Sequence, residues 1–498
     1  MKVGRLALVT VAVLGLLAIA ALWSGRSEPV ESQVQRPPVP AVRADGELGS
    51  TWYCAAGSAK VPTAHALLLS NATASAVRAR LTGYVATGPT TSVEIEVPAN
   101  GPLVVDVAPT LGDASASVLI ESAEPELAVD HQLVAEDGGG ERSACATSTS
   151  GAWHFPALTT TRDAGAYLTL FNPFPGDAGV DVAIGVDTGT RVPTALTGVV
   201  VPAGTAKVID LGGQGIAERR EQFTAVVRSR SGRVVAEVAQ SFDGSLGPTG
   251  LRTSLGVPSP QQSWAFAGGF TGTGAAERLV VQNPGEERAR VLVQVTPYGG
   301  AANPPEPLEV EVEPGRYVVS DLSAETRIPG IGYHSIELES DHPVVVARTT
   351  AISGGPDPAP DPSIVLRPAL TKGVAVSTGT SVASREWVVP SIDAGVDPAP
   401  VVLVHNPGEG IARVTFSILG AGQVGEPAEL AGIEVAPGDS VAVPLGPASA
   451  PEVAVRLRST EPVVVERITV FPAHDDLAFD IAVPVHRARS QLSEIHSG

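Results

Sequence analysis

Aromatic residues make up 4% of this 498-residue chain, lysine occurs four times and cysteine twice. So few aromatic rings argue against a broad sugar-stacking face. Basic residues are also short: 33 against 53 acids, for a net charge of −20. An acidic surface repels phosphate backbones and anionic lipid, so neither a nucleic-acid partner nor peripheral docking on anionic lipid is expected. The preference for Arg over Lys (Lys2, Lys60, Lys207 and Lys372 alone) reads as compositional bias. Catalytic signatures are missing too. None of the nine His falls in His-Glu-x-x-His, and no Gly-x-Ser-x-Gly, Walker loop or dinucleotide fingerprint occurs. No catalytic residue, metal or cofactor is expected, and the chain is read as non-enzymatic.

What is present is enough apolar material for a core: 43% hydrophobic residues exclude wholesale disorder. The 53 Gly and 43 Pro fit many turns between short strands. At the amino terminus Lys2 and Arg5 precede an uncharged run over 6–23, and Trp23 stands where an interfacial ring would. The run is longer than most secretory cores and long enough to span a bilayer. The expectation is an uncleaved signal anchor with its basic end inside. The alternative is a secretory signal, cleaved near Ala18-Ile19-Ala20. Either places the remainder outside the cytoplasm, joined through a Pro-rich tether over 27–50.

Four of the five Trp open similar stretches. Asn71, Asn172, Asn283 and Asn406 each follow Trp52, Trp153, Trp264 and Trp387 by 19 residues, at the end of an apolar run. Four equal spacings establish an internal repeat. After each Asn come an alternating run, a strand ending in a Pro/Gly turn, a short apolar strand and a hairpin. Ser340 to Pro343 and Ser459 to Pro462 mark two of those hairpins. Segments such as Val93-Glu94-Ile95-Glu96-Val97 have period two, with one face buried and one wet. A further strand closes each copy. Seven or eight strands in about 100 residues match an immunoglobulin- or fibronectin-like sandwich. A propeller is the runner-up, but its blades need fewer residues.

The fold expected is therefore all-β: four tandem immunoglobulin/fibronectin-like sandwiches behind an N-terminal transmembrane or signal helix. The boundaries are 1–26 for the anchor, 27–50 for the tether, 51–149, 150–260, 261–382 and 383–487 for the sandwiches, and 488–498 for a polar tail. Short Pro-bearing linkers suggest a semi-rigid array, about 100–140 Å long if the sandwiches lie in line.

Cys54 and Cys145 fall on the first and last strands of the first sandwich. An even count outside the cytoplasm points to a disulfide, worth roughly 4–5 kcal/mol by loop closure. Asp130-His131 and Asp341-His342 are poor dyads, because strand neighbours face opposite ways. His474-Asp475-Asp476 reads as a solvated turn. Asp357, Asp361, Asp393 and Asp397 are too loosely spaced for a calcium loop. The repeated Asn reads as a turn hydrogen-bonder and the repeated Trp as core. Asn71-Ala72-Thr73 matches the glycosylation sequon, but its Asn is that structural one.

The anchored amino terminus, the Thr51-Trp52-Tyr53-Cys54 start and the Asn-Pro-Gly corners resemble a secreted actinobacterial family catalogued only as a domain of unknown function. The resemblance spans roughly 50–486 and implies an envelope setting, with no catalytic residues to carry over. The function expected is a membrane-tethered scaffold or interaction stalk, anchored by residues 6–23, whose partner is an envelope protein or glycan. The alternative is a carbohydrate- or wall-polymer-binding module associated with envelope glycan assembly.

Overall fold

The computed structural model describes residues 40–43, 49–55, 63–136, 139–213, 215–328, 332–354, 372–393, 400–420, 422–445, 452–471 and 476–486. The anchor segment 6–23, most of the tether and the tail lie outside them. The described chain is nearly all strand, with a single five-residue α-helix, Val107–Leu111. No helix among the described residues is long and apolar enough to cross a membrane.

Strands gather into four successive sheet pairs. In the first, one sheet joins Ser50–Cys54, Ser117–Ser122, Val77–Val85 and Gly88–Val97 in that order. The other joins Gly101–Asp106, Thr63–Asn71, Leu127–Ala135 and Gly140–Ala144. The same order recurs in the three later pairs, whose Trp strands are Ala152–Leu158, Gln261–Thr271 and Ser384–Asp393. Period-two patterning produces each core. Across Val77–Val85 buried Val77, Ala79 and Leu81 alternate with exposed Arg78 and Arg80. Each Trp is buried in its own pair's core.

None of the four expected hairpins forms: Ser117–Ser122 and Leu127–Ala135 lie in different sheets, as do Phe223–Ser231 and Val235–Asp243. Gly332–Ile352 and Glu452–Phe471 run through Pro343 and Pro462 as continuous strands. Each pairs with one sheet before its proline and with the other after it. A proline lacks the N–H of a ladder position, so it sits where the strand changes sheets.

The in-line array is also corrected. The four closing strands, Gly140–Ala144, Thr249–Leu255, Gly373–Ser377 and Asp476–Ile481, pack around one centre, each against the next and the last against the first. The first and fourth pairs share a core in which Val42, Val388, Val483 and Val485 lie with Trp52. The tether takes part: Val42–Arg43 adds as a parallel strand to Val485 and His486. Four sandwich-like pairs thus close on themselves. The tendency of Pro-bearing linkers to extend is outweighed by apolar surface that the outer face of each second sheet must bury.

Candidate functional site at the four-pair junction

Asp476 opens the last closing strand at the centre of the junction. Its Oδ2 accepts the backbone N–H of Gly140 at 2.9 Å and of Leu251 at 2.8 Å, and its Oδ1 accepts that of Val374 at 2.8 Å. One carboxylate thus binds the closing strands of the other three pairs. Bare backbone lets them approach. A Cβ on Gly250 would lie 2.8 Å from Asp476 Oδ1, and one on Gly373, where φ is +138°, would overlap that oxygen. Burial pushes Asp476 up to about 7 against the pull of its N–H donors. Glu141 beside it is held well above the usual carboxylate range, by burial and then by Asp476, and its Oε2 has no hydrogen-bond partner. Arg252, lowered by burial to about 10, faces both carboxylates. The reading of this segment as a solvated turn is corrected for Asp476, which is fully buried; His474 and Asp475 lie outside the described residues.

The joints between neighbouring pairs follow one register. Asp130, Glu237, Ala347 and Glu466 stand opposite the residue three before the repeated Asn. The next position holds His131, Val238, Arg348 and Arg467. In three joints the acid of one pair meets the base of the preceding pair. Glu237 Oε1 lies 2.8 Å from His131 Nε2. Glu466 Oε2 lies 3.4 Å from Arg348 Nη1. Asp130 Oδ2 lies 3.2 Å from Arg467 Nη2. That last pair closes the circle from fourth to first. At the remaining joint the sequence supplies Val238 and Ala347, and Ala157, Val280, Ala347 and Val376 form an apolar cluster there.

These groups are positioned for cohesion. Asp130-His131 is no dyad: Asp130 faces Arg467, while His131 bridges Glu237 and His65, whose Nε2 lies 3.1 Å from His131 Nδ1. A His–His–Glu chain could move a proton, but its side chains are buried and unreachable by substrate. Burial raises Asp130 to about 7, and raises Glu237 and Glu466 despite their bases. Glu466 also accepts from Gly268 N at 2.7 Å and Ser377 Oγ at 3.0 Å. A second acid, Glu277, is held below the usual carboxylate range. Burial opposes this, but His334 at 2.7 Å, Arg348 and Phe270 N outweigh it. No group of three or more His, Cys, Asp or Glu among the described residues could hold a metal ion.

The residues singled out in the sequence fall elsewhere. Cys54 and Cys145 form a disulfide, with Cα atoms 4.5 Å apart. Trp153, Trp264 and Trp387 each donate Nε1–H to a backbone carbonyl, of Val234, Val344 and Val463. Trp52 is buried likewise. The four Asn side chains make one motif. Oδ1 accepts the backbone N–H two residues on: Thr73, Phe174, Gly285 and Gly408. Nδ2 donates to the carbonyl four residues on: Ser75, Gly176, Glu287 and Gly410. It also donates to the carbonyl that ends the outermost strand of the first sheet, at Val97, Val201, Val312 and Val435. Buried and so engaged, Asn71 offers no free amide for a glycan in the folded chain. Asp357, Asp361 and Asp397 lie outside the described residues, and Asp393 ends a strand.

A family model matches residues 107–365, slightly more than half the sequence. The chain belongs to the family of unknown function DUF5719. The match begins at the short helix of the first pair and takes in the second pair, so it includes neither Thr51-Trp52-Tyr53-Cys54 nor Asp476. No curated protein matches the chain. Among solved structures, Thermotoga maritima 1070 is 25% identical over 18% of this chain and 81% of its own, with a TM-score of 0.17. The Anabaena sensory rhodopsin transducer is 21% identical over 18% and 87%, with a TM-score of 0.16. Likenesses this slight carry no argument.

Proposed function

We propose that this DUF5719 chain is a non-enzymatic, extracytoplasmic scaffold, tethered to the membrane by residues 6–23, and that its four sheet pairs are tandem immunoglobulin-like sandwiches. The Cys54–Cys145 disulfide carries the reading, because such bonds persist in oxidising compartments. The apolar run behind Lys2 and Arg5 agrees with it. Closure changes the picture from an extended stalk to a block, with the tether entering at the joint of first and fourth pairs. The partner is an envelope protein or glycan, in an envelope of the actinobacterial kind. The carbohydrate-module alternative draws less support, since all four Trp outside residues 6–23 are buried.

Crosslinking in the native envelope, followed by partner identification, tests the reading. Recovery of the same envelope component on repeated trials is the expected result. A membrane-impermeant amine or thiol label that reaches the reduced chain only after cell lysis would overturn the extracytoplasmic placement.

A further inference from the structure

The joint without a buried ion pair has a different feature at its rim. Between the second and third sheet pairs lies a crevice of about 370 Å³. His154 and Arg228 line it from the second pair, Pro260 from the linker, and Pro284 and Pro343 from the third. His154 is 4% exposed, and its Nδ1 has no hydrogen-bond partner. That nitrogen is itself sealed from solvent, so a ligand in the crevice would meet the ring at Nε2. Arg228 is exposed and makes no ion pair among the described residues. Burial, and then Arg228, lower His154 to about 4, so the ring is neutral at pH 7 and can donate from one nitrogen while accepting at the other. The titratable groups across the crevice are Glu286, Glu287 and His342. Glu287 lies 3.7 Å from His342 and is 78% exposed, so it is screened and free to swing outward.

We propose that this crevice binds a small organic carboxylate, with its anionic group between Arg228 and His154 and its carbon skeleton against the proline walls. A guanidinium presents paired N–H donors that match a carboxylate, and a neutral imidazole adds a donor without requiring a second charge. Proline rings offer flat apolar contact without aromatic residues, which this chain has little of. The crevice volume lies within the range usual for small-molecule pockets. The inference rests on the joint's own geometry and holds whichever compartment the protein occupies.

The probe is D-glucuronate, with D-glucose as its neutral counterpart, titrated into the full-length chain in detergent by calorimetry and by imidazole nitrogen NMR. Glucuronate is expected to move the His154 resonances and raise its protonation midpoint, while glucose does neither. Arg228→Ala should weaken glucuronate binding roughly tenfold or more, with circular dichroism unchanged because Arg228 lies on the surface. Arg228→Lys should recover part of the affinity. A uronate-bearing polysaccharide separates the sources: tighter binding per residue than the monomer assigns a polymer ligand, and equal binding a free carboxylate. The proposal is overturned if His154 is unmoved at tens of millimolar glucuronate, if glucose moves it equally, or if Arg228→Ala binds like wild type.

Discussion

Replacing Asp476 gives the sharpest test of the junction. Asp476→Ala leaves the N–H groups of Gly140, Leu251 and Val374 buried without acceptors. Each orphaned donor costs about 1–3 kcal/mol, for a gross loss of about 3–9 kcal/mol. Removing the carboxylate also removes its own burial penalty. Its rise from 3.8 to about 7 corresponds to about 4 kcal/mol against the ionised form. The net loss therefore depends on pH. A carboxyl raised in the folded state binds its proton there before the unfolded chain does. Its contribution is complete below pH 4 and fades as pH climbs through 7. Asp476→Ala should thus destabilise by several kcal/mol at pH 5.5 and by less at pH 8. Asp476→Asn keeps one acceptor oxygen, so it should cost about 1–3 kcal/mol and flatten the pH dependence. Urea unfolding of the three proteins at both pH values reads these differences. Losses below about 0.5 kcal/mol in Asp476→Ala at pH 5.5, or an unchanged slope between pH 5.5 and 8 in Asp476→Asn, would refute the assignment of Asp476 as the hub.

Other perturbations separate the remaining contributions. Arg467→Met strands Asp130 and Asp480 in the interior and should cost about 3–5 kcal/mol in unfolding experiments, whereas Arg467→Met with both acids replaced by Asn should recover part of it. Asn172→Ala removes the acceptor for Phe174 N and the donor to Gly176 and Val201; a loss of about 2–4 kcal/mol, matched by Asn406→Ala, would support one shared corner motif, and losses under about 0.5 kcal/mol would sink it. Breaking Cys54–Cys145 as the double Ser variant releases a cross-link of sequence separation 91 and should cost roughly 4 kcal/mol, read as a lower urea midpoint.

Much of the local structure was legible because it repeats. Equal Trp-to-Asn spacings and period-two runs report the pleat and its buried face, properties of a few neighbouring residues. Cys54 and Cys145 were legible for a related reason, since two cysteines allow one intrachain pairing. The junction was not, because its partners are far apart in sequence. Nothing near Asp476 signals that it will meet Gly140, 336 positions earlier. The register that places Asp130, Glu237, Ala347 and Glu466 alike left a trace as charged residues interrupting apolar runs, in Val465-Glu466-Arg467 for example. Aligning the copies on their Asn would have exposed it. Such interruptions mark a strand whose outer face is buried against a neighbour, and the sandwich expectation assumed that face was wet.

The joint residues also bear on why the pairs close in sequence order. All four second sheets present similar apolar faces, so burial alone would not select which pair sits beside which. Charge does. Setting the third pair, with Ala347 at the acid position, against His131 or Arg467 would leave a buried base without its acid, and setting Val238 of the second pair against Asp130 or Glu466 would leave a buried carboxylate without its base. The observed order sets Glu237 on His131, Glu466 on Arg348 and Asp130 on Arg467. Ala347 falls to the joint without a buried ion pair, in an apolar cluster with Ala157, Val280 and Val376. Buried ion pairs add little net stability over apolar contacts, but unpaired ones cost several kcal/mol each. The polar joints are therefore best understood as rejecting wrong neighbours. An Asp130→Arg, Arg467→Asp exchange should then be tolerated better than Arg467→Asp alone, because it restores one opposite charge across the closing joint, whereas the single change sets the new carboxylate against both Asp130 and Asp480.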